Sequence, residues 1–434
     1  MSTLNVDFAK HIGKIKPMHA VNNGPVCSRN INNIQEFRDA GIPYARTHDA
    51  AFYPSYGGEH IVDISAVFPN FDADVNDEAS YDFTLTDEYL NNIMSVGTQV
   101  YFRLGQKIEH SSKKYGIYPP KDFLKWAQIC EHIIMHFNYG WANGHRMGIE
   151  YFEVWNEPDN FGQCWIGTDE EFFEFFRVSV TYLKEKFPSL KIGGPAICYY
   201  HDYVEKFLDA CAKEPKVPMD FLSWHMYGCD PYWTNENAVK YRNELDKRGF
   251  TNVETHCNEW NYIRKWTPAE EMKYNYKVMM RRLKGASYVA ACMAVGQNSP
   301  LDMMMYYDAR PCNFNGLFMT ATLEPMAAYY SLYFFNKLYR QNIQTQALSD
   351  DRDIFAVSAK NDKEYIMLTY YNDDDAHASK KNLSIKINGS NAAAAKIYTV
   401  NEGGVTVPQE STVKVINGEI KIDINLYEVI LIEM

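Results

Sequence analysis

Between residues 11 and 340, short apolar runs rich in β-formers alternate with longer amphipathic stretches, and this alternation constrains the fold of the chain more than anything else in it. Parallel strands need a crossover of a dozen or more residues between them, and an amphipathic helix supplies it. Eight strands are expected, along 11–20, 42–48, 99–106, 149–155, 190–194, 221–226, 253–259 and 303–307. Each is short and apolar, as burial on both faces requires. Helix signals lie between them. Thr267-Pro268-Ala269-Glu270 reads as a capping box opening a helix that runs to about Lys284-Gly285. Asp169-Glu170-Glu171 places negative charge at the start of a helix through Phe187 that Pro188 ends. A last helix follows Pro325, over 327–335. Eight strand-helix units over residues 11–340 predict a (β/α)8 TIM barrel. An open doubly wound sheet is the alternative, but no GxGxxG follows the first strand.

Beyond residue 340 the helical pattern stops. Strand runs over 355–358, 365–370 and 383–387 have no helix between them, and Asn388-Gly389 and Asn417-Gly418 read as type I′ hairpin turns. The expectation is a C-terminal antiparallel β-sandwich over 341–434, with residues 1–10 joining it as an edge strand.

Composition removes several function classes. Lys and Arg number 43 against 55 Asp and Glu, a net charge of −12, and no basic block tracks a phosphate backbone. Nucleic acid is therefore not an expected partner. No apolar run approaches the roughly 20 residues that span a bilayer, and Met1-Ser2-Thr3-Leu4-Asn5 lacks a secretion pattern. The reading is a cytoplasmic or periplasmic protein with no membrane partner. Nine single cysteines without a CxxC pair read mostly as buried free thiols in a reducing compartment, not as a disulfide framework. His132 and His136, four apart on an expected helix, raise a zinc enzyme as a rival class. Glu131 precedes the pair instead of sitting inside an HExxH motif, so an ordinary amphipathic barrel helix is preferred. Aromatic residues make up 15% of the chain, which suits flat walls against sugar rings as well as a core.

In such a barrel the site lies at the carboxyl ends of the strands. The fourth strand ends Trp155-Asn156-Glu157-Pro158, and the seventh ends Asn258-Glu259-Trp260-Asn261. Two glutamates thus face each other across the barrel mouth. A protonated carboxyl beside an ionised one is what glycoside cleavage requires, one donating to the departing oxygen and the other attacking the anomeric carbon. Glu157 alone, at a helix start beside proline, also reads as a simple N-terminal charge partner.

These motifs, with Gly316-Leu317-Phe318 and the stretch from Pro325 to Tyr330, resemble glycoside hydrolase family 39 of the clan A retaining glycosidases, over essentially the whole chain. The resemblance implies Glu157 as acid/base and Glu259 as nucleophile, with Asn156 on the sugar 2-hydroxyl. It implies sugar contacts from His48 and His225, Arg46 near Glu259, and Tyr227 orienting the nucleophile. A buried ion pair and a core histidine are the bland readings of Arg46 and His48. Trp260 and Tyr307 are expected as ring walls, with packing at a strand end as their bland reading, and His19, Asn22, Asn23 and Gln106 as further mouth residues, with plain loop roles as theirs. Where many clan A enzymes carry a tryptophan after the eighth strand, this chain reads Met303 to Asp308, so Tyr307 or Asp308 would take its place. Loops over 51–75 and 229–237 would wall off a pocket or line a groove.

The combined expectation is a retaining β-glycosidase without metal or cofactor, releasing sugar from the non-reducing end of an oligosaccharide. The resemblance implies a β-xylosidase. An endo-acting polysaccharide hydrolase and an exo-enzyme for galactosides or arabinosides are the alternatives within the class, and a non-catalytic sugar-binding scaffold is the alternative outside it. Nothing in the sequence indicates an oligomeric state.

Overall fold

The computed structural model of the chain describes residues 2–27, 31–49, 60–281, 283–312, 314–401 and 407–434. Its chain opens with β1 (Ser2–Lys14) and then builds a closed parallel barrel from β2 (Ala20–Asn22), β3 (Tyr44–Arg46), β4 (Gln99–Leu104), β5 (Tyr151–Val154), β6 (Lys191–Ile197), β7 (Phe221–Gly228), β8 (Glu254–Tyr262) and β9 (Met303–Tyr306). β9 returns to pair with β2, so the sheet has no edge and the open doubly wound alternative falls. After the last barrel helix, Ala327–Tyr339, the chain continues as β10 (Ile343–Ser349), β11 (Ile354–Lys360), β12 (Glu364–Tyr370), β13 (Lys380–Asn388), β14 (Ala394–Val400), β15 (Gln409–Lys414), β16 (Glu419–Asn425) and β17 (Val429–Glu433). Together with β1 these form a nine-stranded mixed sheet.

Strands from both ends of that sheet share one apolar core, including Leu4, Val6, Ile385, Ile397 and Ile432, so the sheet folds over on itself as a sandwich. Period-two alternation sends the other residues of its central strands to the barrel. Phe355, Val357 and Ala359 of β11, Tyr365 and Met367 of β12, and Val429 and Leu431 of β17 join the barrel core. Burial on both faces explains why Val429–Ile432 is a continuous apolar run. A buried helix rich in small residues, Leu283–Gln297, lies between the two parts. Its Ser287 hydroxyl lies 2.6 Å from that of Thr369, and Lys284 reaches Asp373 and Asp375.

Four expectations change. The first barrel strand is Ala20–Asn22, because residues 11–14 continue β1 and belong to the other sheet. β1 is not an edge strand; it is hydrogen-bonded between β10 and β13, antiparallel to one and parallel to the other. Lys284 and Gly285 do not end a helix: Ala269–Arg281 is followed by Leu283–Gln297, which contains both. Asn417-Gly418 makes its tight turn, with φ of 53° and 71°, but Asn388-Gly389 leads to no hairpin, since β13 pairs with β1 and β16 while β14 pairs with β15 and β17. The helix at Asp169–Lys186 keeps its expected start, with a Thr168–Glu171 capping box.

Candidate active site

The barrel interior is filled in layers from its amino-terminal end. Tyr101, Tyr151, Phe221, Met303 and Met305 close the floor. Above them lies a buried polar layer around Glu153 of β5. Its carboxylate accepts from Arg46 Nε at 2.6 Å, from Ser223 Oγ at 2.5 Å and from Asn258 Nδ2 at 2.5 Å. An ion pair out of water holds only when its remaining lone pairs are occupied in this way. Arg46 then spreads upward: Nη1 donates to Asn22 Oδ1 at 3.0 Å and lies 3.3 Å from Glu259 Oε2, and Nη2 donates to Asn156 Oδ1 at 2.7 Å. A guanidinium only donates, so this contact fixes the amide of Asn156 with its oxygen toward Arg46 and its nitrogen on the other side, where Nδ2 donates to Cys164 Sγ at 3.8 Å and keeps a second N–H for another acceptor.

Local irregularities aim the two glutamates. On β8 the register to β7 slips, Trp224 opposing Cys257 while His225 opposes Glu259, so Asn258 is an extra residue in the strand. That bulge brings Asn258 and Glu259 both to the interior. At the end of β5, Trp155 and Glu157 take φ of 76° and 45°, a left-handed region that costs a non-glycine residue of the order of 1–3 kcal/mol. Packing holds them there. The Trp155 indole lies against Trp126, Trp165 and Phe175 and donates to Cys164 O at 2.9 Å, while the Glu157 amide donates to Ala196 O at 3.0 Å.

The result is a compact trio. Glu157 and Glu259 are 7% and 6% exposed, and one oxygen of each lies within 4.8 Å of the other and of a His225 nitrogen. His225 Nδ1 is 2.7 Å from Glu157 Oε1 and its Nε2 is 3.4 Å from Glu259 Oε2. Asn160 Nδ2 donates to Glu157 Oε2 at 3.0 Å, and the Tyr227 hydroxyl donates to Glu259 Oε1 at 2.5 Å. Burial pushes the Glu259 carboxyl above its ordinary value, and the Glu157 charge adds to this; the His225 charge, Arg46 and Tyr227 oppose it. Burial acts on Glu157 too, but the closer His225 and Asn160 overcome it and bring that carboxyl down. His225, resisting its own burial, is raised by the two carboxylates. Both directions favour a proton on His225 over one on Glu157.

Most of the expected residues meet here: Arg46, Asn156, Glu157, His225, Tyr227 and Glu259 are joined by direct contacts. Asn22 lies beneath them, its Nδ2 donating to Asn258 O at 2.8 Å. His48 and Tyr307 stand together at the rim, rings edge-on at 5.6 Å, and burial keeps the His48 imidazole well below its ordinary value and therefore neutral. The Tyr307 hydroxyl donates to Asp49 Oδ2 at 2.8 Å, and Asn23 Oδ1 accepts from the Asp49 amide at 2.7 Å.

Four residues do not join. Trp260 is buried outside the barrel, edge-on to Tyr306 at 5.4 Å, because a strand turns the neighbour of an inward residue outward. His19 precedes β2 and packs on Phe335 and Tyr339 of the last barrel helix. Gln106 accepts from Ser65 Oγ at 2.9 Å in a separate depression with His60 and Glu109. Asp308 is buried against Arg310 Nε at 2.8 Å. Of the loop over 51–75, residues 51–59 lie outside the described residues.

A further aromatic side chain borders the trio. Trp266, 52% exposed, stacks on Phe314 at 6.2 Å and meets Tyr227 edge-on at 5.2 Å, one ring away from Glu259. It sits in the loop after β8, where no strand periodicity points to it. Glu153 was also missed, although a lone acid inside the apolar run Tyr151–Val154 was a usable signal, since a buried charge needs a partner.

The chain matches the model for glycosyl hydrolases family 39 over residues 4–403. A β-xylosidase of Caldicellulosiruptor saccharolyticus is 26% identical over 263 residues, which make up 57% of this chain and 50% of that protein. A β-xylosidase of Geobacillus stearothermophilus is 32% identical over 162 residues, 34% of this chain and 31% of the relative. The chain thus aligns with half or less of the length of these relatives. Among solved structures, a glucosidase from Croceicoccus marinus superposes with a TM-score of 0.81 at 19% identity, covering 100% of this chain and 98% of the other, a likeness of fold. Among the described residues, no helix is long and apolar enough to cross a membrane.

Proposed function

The chain belongs to glycosyl hydrolases family 39, and from that premise we propose that it is a retaining β-glycosidase releasing β-xylose from the non-reducing ends of oligosaccharides. The observation that carries the mechanism is the approach of the Glu157 and Glu259 carboxylates to within 4.8 Å. Retaining enzymes keep the pair roughly 5–5.5 Å apart, whereas inverting enzymes need roughly 6.5–9.5 Å to seat a water between carboxylate and sugar. There is room here for an anomeric carbon and none for the extra water.

Glu259 is the nucleophile, its Oε1 held by the Tyr227 hydroxyl and its Oε2 facing Arg46. Glu157 is the acid/base, and His225 is its proton reservoir. A shift of one proton from His225 Nδ1 to Glu157 Oε1, across 2.7 Å, converts the free-site distribution into a protonated acid beside an ionised nucleophile without changing the total charge. Glu157 gives that proton to the departing oxygen as Glu259 bonds to the anomeric carbon. In the second half it takes a proton from water, which attacks the same carbon and frees Glu259. Asn156, with its nitrogen left available by Arg46, holds the 2-hydroxyl, and His48, Tyr307 and Trp266 wall the sugar.

The sugar is assigned on the two β-xylosidase relatives. A panel of nitrophenyl glycosides, with the first-formed anomer read by NMR, tests the whole reading. We expect β-xyloside to be turned over at least ten times faster than galactoside, arabinoside or glucoside, and β-xylose to appear first. α-Xylose as the first product would overturn retention, and a panel with no turnover would leave a binding scaffold.

The pH profile of kcat/KM follows from the same groups. Below its acid limb Glu259 is protonated and cannot attack, and because burial raises that carboxyl the limb lies above the ordinary carboxylate range. Above its basic limb the proton shared by His225 and Glu157 is gone, and because the carboxylates raise His225 this limb lies above the ordinary imidazole range. His225→Gln removes the reservoir, so its basic limb should move to lower pH, read from kcat/KM against pH for both enzymes.

A further inference from the structure

On the outer face of the barrel, far in the fold from the catalytic trio, Asp87 of the helix Thr84–Ser95, His136 of the helix Phe123–Tyr139 and His145 of the loop before β5 turn their side chains onto one point. We propose that this is a structural site for a transition-metal dication, zinc by ligand type, that ties the two helices to the loop.

The donor atoms all lie within 4.8 Å of one another, with Asp87 Oδ1 2.8 Å from His136 Nε2 and 3.2 Å from His145 Nε2. Zinc holds such ligands at about 2.0–2.2 Å in a tetrahedron, which sets neighbouring donors roughly 3.4 Å apart. Small side-chain movements therefore admit the ion, and water completes the fourth position.

Tautomer chemistry points the same way. His136 Nδ1 lies 3.0 Å from the Trp141 carbonyl oxygen, which only accepts, so Nδ1 carries the proton. Nε2 is then the ring nitrogen that faces Asp87 Oδ1, at 2.8 Å, and the one placed to coordinate an ion. A ring nitrogen bonded to a backbone carbonyl is also how metal-binding histidines are commonly oriented.

The loop is shaped to deliver His145. Its amide donates to the His136 carbonyl oxygen at 2.6 Å, and the Met147 amide donates to Phe137 O at 2.9 Å, folding residues 140–148 back over the end of the helix. Gly144 permits the approach, because a Cβ there would stand 2.2 Å from the His136 carbonyl oxygen and 2.7 Å from its Nδ1. His136 is buried and stacked on Phe83, while Asp87 and His145 side chains are 29% and 28% exposed, which leaves a route for the ion. His132, the other histidine of the expected pair, instead bonds the Gln128 carbonyl oxygen at 2.8 Å and takes no part. Since the loop leads directly into β5, the ion would brace the strand whose carboxyl end leads to Glu157. It lies outside the reaction, for which no metal is expected.

The test uses the full chain, stripped with chelator and dialysed. Addition of Zn2+ should raise the thermal midpoint by several degrees with one equivalent bound by calorimetry, and Co2+ should give visible absorption bands of low coordination number. Asp87→Asn and His145→Gln, both partly exposed, should each abolish the midpoint shift and the cobalt bands while leaving xyloside turnover intact. The proposal is overturned if the parent binds neither ion, or if both variants retain the shift and the bands, which would place the ion at the cysteines or the catalytic trio.

Discussion

Glu259→Ala is expected to lower kcat on aryl xylosides by a factor of the order of 10⁴–10⁶, the scale seen when a covalent nucleophile is removed from a preorganised site. The loss should not be a folding defect. Glu259 accepts from Tyr227 and faces Arg46, but Arg46 keeps its contacts with Glu153, Asn22 and Asn156, so the polar layer beneath stays satisfied. Truncation leaves a space on the side of the anomeric carbon from which Glu259 attacked. Azide entering that space cannot replace the acid, which Glu157 still supplies, but it can attack directly. The product should be the α-xylosyl azide, inverted from the β-substrate and identified by its anomeric NMR coupling. Formation of the β-azide would assign the nucleophile to the other carboxylate.

The geometry behind that experiment was only partly legible in the sequence. Strand-helix alternation located the barrel, and the two Asn-Glu motifs located the mouth, because apolar runs buried on both faces and charged residues at their ends are local signals. Where the reading went wrong, non-local pairing decided. Residues 11–14 look like the start of a barrel strand, yet they extend β1 along β10, over three hundred residues away in sequence. Of the two readings of Trp260, ring wall and packing, the structure takes packing, as simple alternation already favours by sending adjacent strand residues to opposite faces. The bulge at Asn258 is harder to foresee, since only the slipped register between β7 and β8 creates it. Trp266 is invisible for a different reason: a loop residue takes its position from what it packs against, here Phe314 and Tyr227. Asp87, His136 and His145 come together only because a loop folds back over a helix end, so spacing along the chain pairs His136 with the wrong histidine, His132.

Glu157→Ala should behave quite differently from the nucleophile variant, and the contrast tests the assignment of roles more sharply than either loss alone. General acid catalysis contributes roughly 10²–10⁴-fold, and only when the leaving group needs a proton. With a dinitrophenyl xyloside the first step needs none, so kcat/KM should stay within a few-fold of the parent, whereas for an unactivated alkyl xyloside or xylobiose it should fall by roughly 10²–10⁴. The second step lacks its base with every substrate. The xylosyl-enzyme on Glu259 should therefore accumulate, giving a burst of dinitrophenolate equal to the enzyme present and a KM that falls together with kcat. Azide needs no base, and the vacated space lies on the face from which water attacks. It should restore kcat and yield the β-xylosyl azide, the opposite anomer to that from Glu259→Ala. Removal of Glu157 also leaves His225 facing only Glu259, so the imidazole keeps one of the two charges that raise it. The basic limb of the rescued reaction should accordingly vanish, since azide attack on the ester requires no proton from either group. A basic limb that persisted in the rescued variant would mean that His225 acts on the nucleophile rather than on the acid.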